Sequence, residues 1–179
     1  MIGEIKIEDK KLLLKAAKDA IWAKLAQEDI PTYYKDRDIY NEKAGVIIKL
    51  MVKEKIRGYI SEAQSQAGIL DTIQKVAINS AFYDPRFDSL KKEEWDDLRV
   101  VLYIVKDITE LKNLKALNPT QDGLLVKSPS NSAILLPDDV SGVPMTPEGY
   151  MKEAALKAGS SFQSSDLKYF LISFIKLTE

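Results

Sequence analysis

The chain has 179 residues, 45% of them apolar and 30% charged, and its 26 Lys and Arg face 27 Asp and Glu for a formal net charge of -1. That length suits one domain, or one domain carrying a small lobe, able to bury roughly 70% of its unfolded surface. The balance excludes a disordered chain and argues against sequence-independent nucleic-acid binding, which needs clustered cations. With no His and no Cys, imidazole and thiol chemistry, disulfides and the usual zinc ligands are excluded, and any metal would be held by oxygen alone.

The opening ten residues alternate charges with isolated apolar side chains and lack the basic and apolar regions of a signal peptide. No stretch approaches a membrane span, so a cytoplasmic protein without membrane partners is expected. From Asp9 to about Glu28, Leu12, Leu13, Ala16, Ala20, Ile21 and Ala23 recur at helical spacing. This predicts an amphipathic helix closed by Pro31, with a polar connection through Asp36, Arg37 and Asp38 leading to the first strand.

Between Gly45 and Ser61, Val46, Ile48, Leu50 and Val52 share one parity, which Ile56, Gly58 and Ile60 continue after Lys53-Glu54-Lys55. A two-residue loop would turn the second strand's apolar side outward, so the alternation predicts a hairpin with an odd, three-residue loop. Lys49 then shares the opposite face with Arg57, Tyr59 and Ser61.

Leu70, Ile73, Val76, Ala77, Ser80 and Ala81 predict a second helix, ended by Asp84-Pro85 because a residue before proline avoids the helical region. Ser89 is expected to cap a short helix through Trp95, and Leu98 to Val105, apolar on both parities, reads as a central strand. The connection from Lys106 to Asp122 can hold a further short helix. Leu124 to Lys127 and Ala133 to Leu136 flank the turn Ser128-Pro129-Ser130-Asn131 as a second hairpin. Thr146-Pro147-Glu148 opens a helix that Gly159 stops, and Lys168 to Lys176 is a last strand. The order of elements suits an α+β fold with a mostly antiparallel sheet and surrounding helices.

Three segments together carry a family resemblance. Ile56-Arg57-Gly58-Tyr59-Ile60-Ser61 is similar to L-R-G-C-I-G, and Ala81-Phe82-Tyr83-Asp84-Pro85-Arg86-Phe87 is similar to A-F-x-D-P-R-F. Asp122-Gly123-Leu124, Leu135-Leu136-Pro137 and Lys157-Ala158-Gly159 follow as D-G-L, L-L-P and K-A-G. In this order and spacing, from about Leu12 to the carboxyl end, the chain resembles the AMMECR-one domain family, named for an Alport-syndrome, midface-hypoplasia and elliptocytosis critical region. The resemblance implies a single α+β domain over 1–179, with a small lobe drawn from the middle of the chain. It implies a cytosolic protein of undetermined role, in a family some of whose members are associated with Memo-like and radical-SAM proteins. The family's Cys is Tyr59 here and its following Gly is Ser61, so a thiol role does not transfer.

On the residues themselves, Arg57 and Arg86 could clamp a carboxylate or phosphate with the Tyr59 hydroxyl as a further donor. Alternatively, both arginines brace the sheet against the loop after Pro85. Asp84 could act as a base or oxygen ligand, or simply end the helix with Arg86 paired to it and Phe87 in the core. The candidate ligand-binding set is Arg57, Gly58, Tyr59, Ser61, Asp84, Arg86 and Pro137. No catalytic residue, metal or cofactor is assigned; Asp96-Asp97 and Asp138-Asp139 could each contribute to a Mg²⁺ site, but adjacent carboxylates in turns are usually just solvated.

The expected function is binding of an anionic small molecule or a protein partner at the Arg57/Tyr59 face. Two other readings stand beside it: an enzyme using Tyr59, arginine and carboxylates, and a nucleic-acid module using the basic hairpin Lys49, Lys53, Lys55 and Arg57.

Overall fold

The structure, a computed structural model, describes residues 5–33, 37–140 and 145–179. Asp36, expected in the first connection, lies outside these residues. Helix α1, Ile7–Ala26, buries Leu13, Ala16, Ala17, Ala20, Ile21 and Ala23, the stripe that its spacing predicts. It begins two residues before Asp9, whose carboxylate accepts the Lys6 N–H at 2.8 Å. Pro31 does not end it. Gln27 adopts the left-handed conformation (φ 63°), and the N–H of Glu28 returns to the Ala23 carbonyl at 2.8 Å, closing the helix four residues earlier.

Strands β1, Val46–Val52, and β2, Lys55–Glu62, form an antiparallel hairpin. Its loop has two residues rather than three: Lys53 and Glu54 both have positive φ, 49° and 63°, as the tight hairpin turn requires. The odd residue that the apolar parity demanded sits inside β2 instead. Val52 pairs with Lys55 and Met51 with Ile56, but Leu50 pairs with Gly58, which leaves Arg57 as the extra residue of a β-bulge. Beyond the bulge Gly58 and Ile60 rejoin the face of Leu50 and Ile48, whereas Ile56, before it, remains 44% exposed.

Helix α2, Ile69–Phe82, is followed by strand β3, Leu98–Glu110, the hairpin β4, Gly123–Lys127, and β5, Ser132–Leu135, then helix α3, Pro147–Lys157, and strand β6, Lys168–Thr178. The segment Lys92–Asp97 is a 3-10 turn, not a Ser89-capped helix; Ser89 donates instead to the Phe82 carbonyl at 3.2 Å. The Lys106–Asp122 connection continues β3 and then holds a short 3-10 turn at Leu114–Ala116. The strands form one antiparallel sheet in the order β2-β1-β3-β6-β4-β5. The fold is α+β, as the order of elements predicts.

The chain divides into two compact units, 1–105 with 175–179, and 106–174. In the first, Val46, Ile48 and Leu50 pack with Val100, Leu102 and Ile104 against Leu13, Ala17 and Ile21 of α1 and Ile73, Val76 and Ala77 of α2. In the second, Leu124, Val126 and Leu135 pack against Tyr150, Ala154 and Ala158. Among the described residues no helix is long and apolar enough to cross a membrane.

Candidate functional site

The site is built on the bulge. An extra residue in one strand locally twists it and re-aims the side chain it carries, and here that side chain is Arg57. Its Nε donates to Glu94 Oε1 at 2.6 Å and its Nη2 to Oε2 at 3.0 Å, a two-pronged pair. The remaining donors go to the carbonyls of Asp88 (2.6 Å) and Ser89 (3.2 Å). Arg57 therefore ties β2 to the segment that follows Pro85. The bonds from Arg57, opposed by burial and reinforced by the Lys91 N–H, hold the Glu94 carboxyl below its ordinary range.

Arg57→Ala should therefore lower stability by about 2 kcal/mol, which is roughly 4–8 °C in melting temperature for a chain of this size. Differential scanning calorimetry would read it.

Asp84, 4% exposed, ends α2 beside this segment. Its Oδ2 accepts the backbone N–H of Tyr59 at 2.8 Å, and its Oδ1 accepts the N–H of Arg86 at 3.1 Å. The Arg86 guanidinium grips both oxygens, Nε to Oδ1 at 2.9 Å and Nη2 to Oδ2 at 2.8 Å, and Nη2 also donates to the Tyr59 carbonyl. Burial pushes the Asp84 carboxyl up, but the Arg86 and Tyr59 hydrogen bonds outweigh it and leave the group below the ordinary value. A carboxylate held so is a poor proton acceptor, and it meets the backbone of Tyr59 rather than its hydroxyl. Phe87, expected in the core, is half-buried, its ring centroid 5.7 Å from the Arg86 guanidinium.

Two cations approach the Tyr59 ring. Lys49, directly opposite it on β1 and only 5% exposed, places Nζ 5.5 Å from the ring centroid, and the Arg86 guanidinium carbon lies 5.7 Å from it. Ser61, two residues along the same face, is exposed. Gly58 is required by packing: a Cβ there would stand 2.0 Å from the Ser80 carbonyl oxygen of α2. Of the basic hairpin, Lys49 is covered and Arg57 is paired with Glu94, whereas Lys53, paired with Asp97 at 3.3 Å, and Lys55 are exposed.

Arg57, Gly58, Tyr59, Asp84 and Arg86 thus come together in the first unit. Pro137 lies in the second, where it opens the 3-10 turn Pro137–Asp139. The third motif segment converges there on a residue the sequence reading missed: the buried Tyr150 hydroxyl shares its one proton between the carbonyls of Asp122 (3.1 Å) and Leu135 (3.0 Å). Asp139 is used by the Leu136 N–H at 3.1 Å and Lys157 Nζ at 2.8 Å. Among the described residues no three His, Cys, Asp or Glu are gathered to hold a metal ion.

Also missed was a buried cluster at the start of α1. Asp9 accepts from the Tyr40 hydroxyl at 2.7 Å, the Lys6 N–H and Arg37. Its only signal in sequence was an acidic residue in a helix's first turn, which reads equally well as an ordinary cap.

A family model described as AMMECR1 matches residues 14–174. Similar proteins include one from Sulfolobus acidocaldarius, 28% identical over 171 residues that cover 88% of this chain and 74% of that one. Another, from Thermotoga maritima, is 27% identical over 74% of this chain and 76% of its own length. The crystal structure of an uncharacterized protein from Pyrococcus horikoshii superposes with a TM-score of 0.87 at 26% identity, covering 96% of this chain and 92% of that one.

Proposed function

The chain belongs to the AMMECR1 family, and on that premise we propose that it works by binding an anionic group, carried by a small molecule or by a protein partner, on the face of β2 that bears Tyr59. The observation that supports this reading is the convergence of two cations, Lys49 and Arg86, on the one ring. The Arg86 side chain is 52% exposed while it holds Asp84, so its outer surface meets solvent. Ser61 adds an exposed hydroxyl beside it. Arg57 has a different part: its donors serve Glu94 and two carbonyls, which makes it the brace of this face rather than its ligand.

Asp84, with its lowered basicity, fits the role of an anchor for Arg86 better than that of a general base. The reading takes 1–179 as one domain whose smaller lobe is the 106–174 unit. It sets the protein in the cytoplasm on composition, since a chain without cysteine lacks the disulfides common in exported domains.

The test is thermal unfolding with inorganic phosphate and a panel of mono- and dicarboxylates as probes. At an anion concentration a hundred times the dissociation constant, the gain is about 2.7 kcal/mol, roughly 5–10 °C for this chain length. Arg86→Ala should remove the anion-dependent shift, and Lys49→Met, which takes away the covered cation against the same ring, should weaken it. Arg57→Ala should lower the starting melting temperature and keep the shift. A flat response of the unaltered protein to every anion would end the proposal.

A further inference from the structure

Among the described residues β2 is the terminal strand of the sheet and pairs only with β1, so one row of its backbone groups faces away from any partner strand. Such an edge is a template for pairing with another chain, and proteins close it with charges, bulges or covers. Near the turn, Lys55 and the bulge at Arg57 already interrupt it. The stretch from Tyr59 to Glu62 is regular, with an unbroken register against Val46–Lys49.

The direction of the backbone groups follows from the ladder. Antiparallel pairs alternate between those that exchange both hydrogen bonds and those that exchange none. The Gly45 carbonyl accepts from Val105 of β3 at 2.9 Å, so the odd residues of β1 spend their backbone groups on β3, and Lys49 has none for Tyr59. The N–H and C=O of Tyr59 therefore point outward. Both are taken by side chains: the N–H by Asp84 Oδ2 at 2.8 Å, the carbonyl by Arg86 Nη2.

An acceptor and a donor on residues 84 and 86 thus occupy the places that a neighbouring strand's carbonyl and N–H would fill. Pro85 between them brings no N–H of its own to the edge. The bidentate grip of Arg86 on Asp84 locks the two together.

We propose that Asp84 and Arg86 form a side-chain plug that closes the free edge of β2 to strand addition by a second copy of this chain. The competing partner is a second copy because two β2 edges related by a two-fold axis pair antiparallel through the same residues, Tyr59 to Glu62, giving a self-complementary contact. The role is separate from anion binding, which uses the exposed side of Arg86 and the Tyr59 face.

Two measurements on the full chain test it. In native-state amide exchange, Tyr59 should be protected at least tenfold over Ser61, whose N–H has the same outward aim and lies on an exposed residue; equal rates would overturn the plug. In sedimentation velocity, Asp84→Ala should raise the weight-average mass about twofold over the unaltered protein as concentration rises. Arg86→Ala, which opens only the carbonyl and spares the helix end, should do so more weakly and guards against a misfolded Asp84→Ala. A folded variant, by circular dichroism, whose mass tracks that of the unaltered protein at every concentration would overturn the proposal.

Discussion

Replacing Gly58 by alanine is expected to destabilise the protein by about 3 kcal/mol, a fall of roughly 6–12 °C in melting temperature for a chain of this length. The added Cβ would lie 2.0 Å from the Ser80 carbonyl oxygen and 2.9 Å from its carbon. Both are backbone atoms of α2, so no side-chain rotation can relieve the overlap, and the helix must lift from the sheet. That movement is resisted: the Ser80 hydroxyl donates to the Ile48 carbonyl at 3.3 Å, and α2 buries Ile73, Val76 and Ala77 against the same strands.

The effect would also reach the bulge, because Gly58 follows Arg57 and sets where it leaves the strand. Calorimetry of Gly58→Ala beside Ser61→Ala, an exposed position expected to change by less than about 0.5 kcal/mol, isolates the close approach. Equal melting temperatures for the two would refute it.

Removal of the Asp9 carboxylate should cost as much. Asp9 is fully buried and gathers the Lys6 N–H, the Tyr40 hydroxyl and Arg37, whose side chain is 33% exposed. Asp9→Ala leaves a buried hydroxyl and a partly buried guanidinium without their acceptor, a loss of about 3 kcal/mol, at the lower end for a broken buried pair because Arg37 can still reach water. Burial raises the Asp9 carboxyl, but the bonds from Tyr40 and Lys6 and the charge of Arg37 outweigh it, so the folded group titrates below its unfolded value.

The sign follows. A depressed carboxyl contributes stability that is fully present above its unfolded value, about 4, and lost as pH falls through the folded value. Urea unfolding should therefore show a wide gap between the unaltered protein and Asp9→Ala at pH 7 and a narrower one at pH 2.5. An undiminished gap in acid would show that the carboxylate's charge is not what holds the cluster.

How much of this was readable beforehand depended on the distance over which each feature is encoded. The buried stripe of α1, the Thr146 cap that accepts the Gly149 N–H at 3.1 Å, and Gly159 at φ 68° are local patterns, and each lies where its few residues predict. The parity of the first hairpin was also legible, but parity can be restored by a longer loop or by a bulge. Only the register places the extra residue at Arg57.

The motif residues 57, 59, 84 and 86 were legible as a set by resemblance. Their chemistry was legible only as alternatives: a clamp of Arg57 and Arg86 stood beside a brace, and Asp84 as base or ligand stood beside an Asp84–Arg86 pair; the structure pairs Arg57 with Glu94 and Asp84 with Arg86, and adds the Tyr59 N–H on Asp84. Among 27 acidic residues nothing local marks Glu94 as the partner of an arginine thirty-seven positions away.

By itself, then, the sequence determined the absence of imidazole and thiol chemistry, the α+β class and the family motifs, because composition and short-range periodicity are properties of adjacent residues. The partners of Arg57, the closure of the Tyr59 edge by Asp84 and Arg86, and the burial of Asp9 under Tyr40 were decided by tertiary structure alone. Each depends on segments distant in sequence meeting at a sheet edge or a helix end, where one buried polar group must find another.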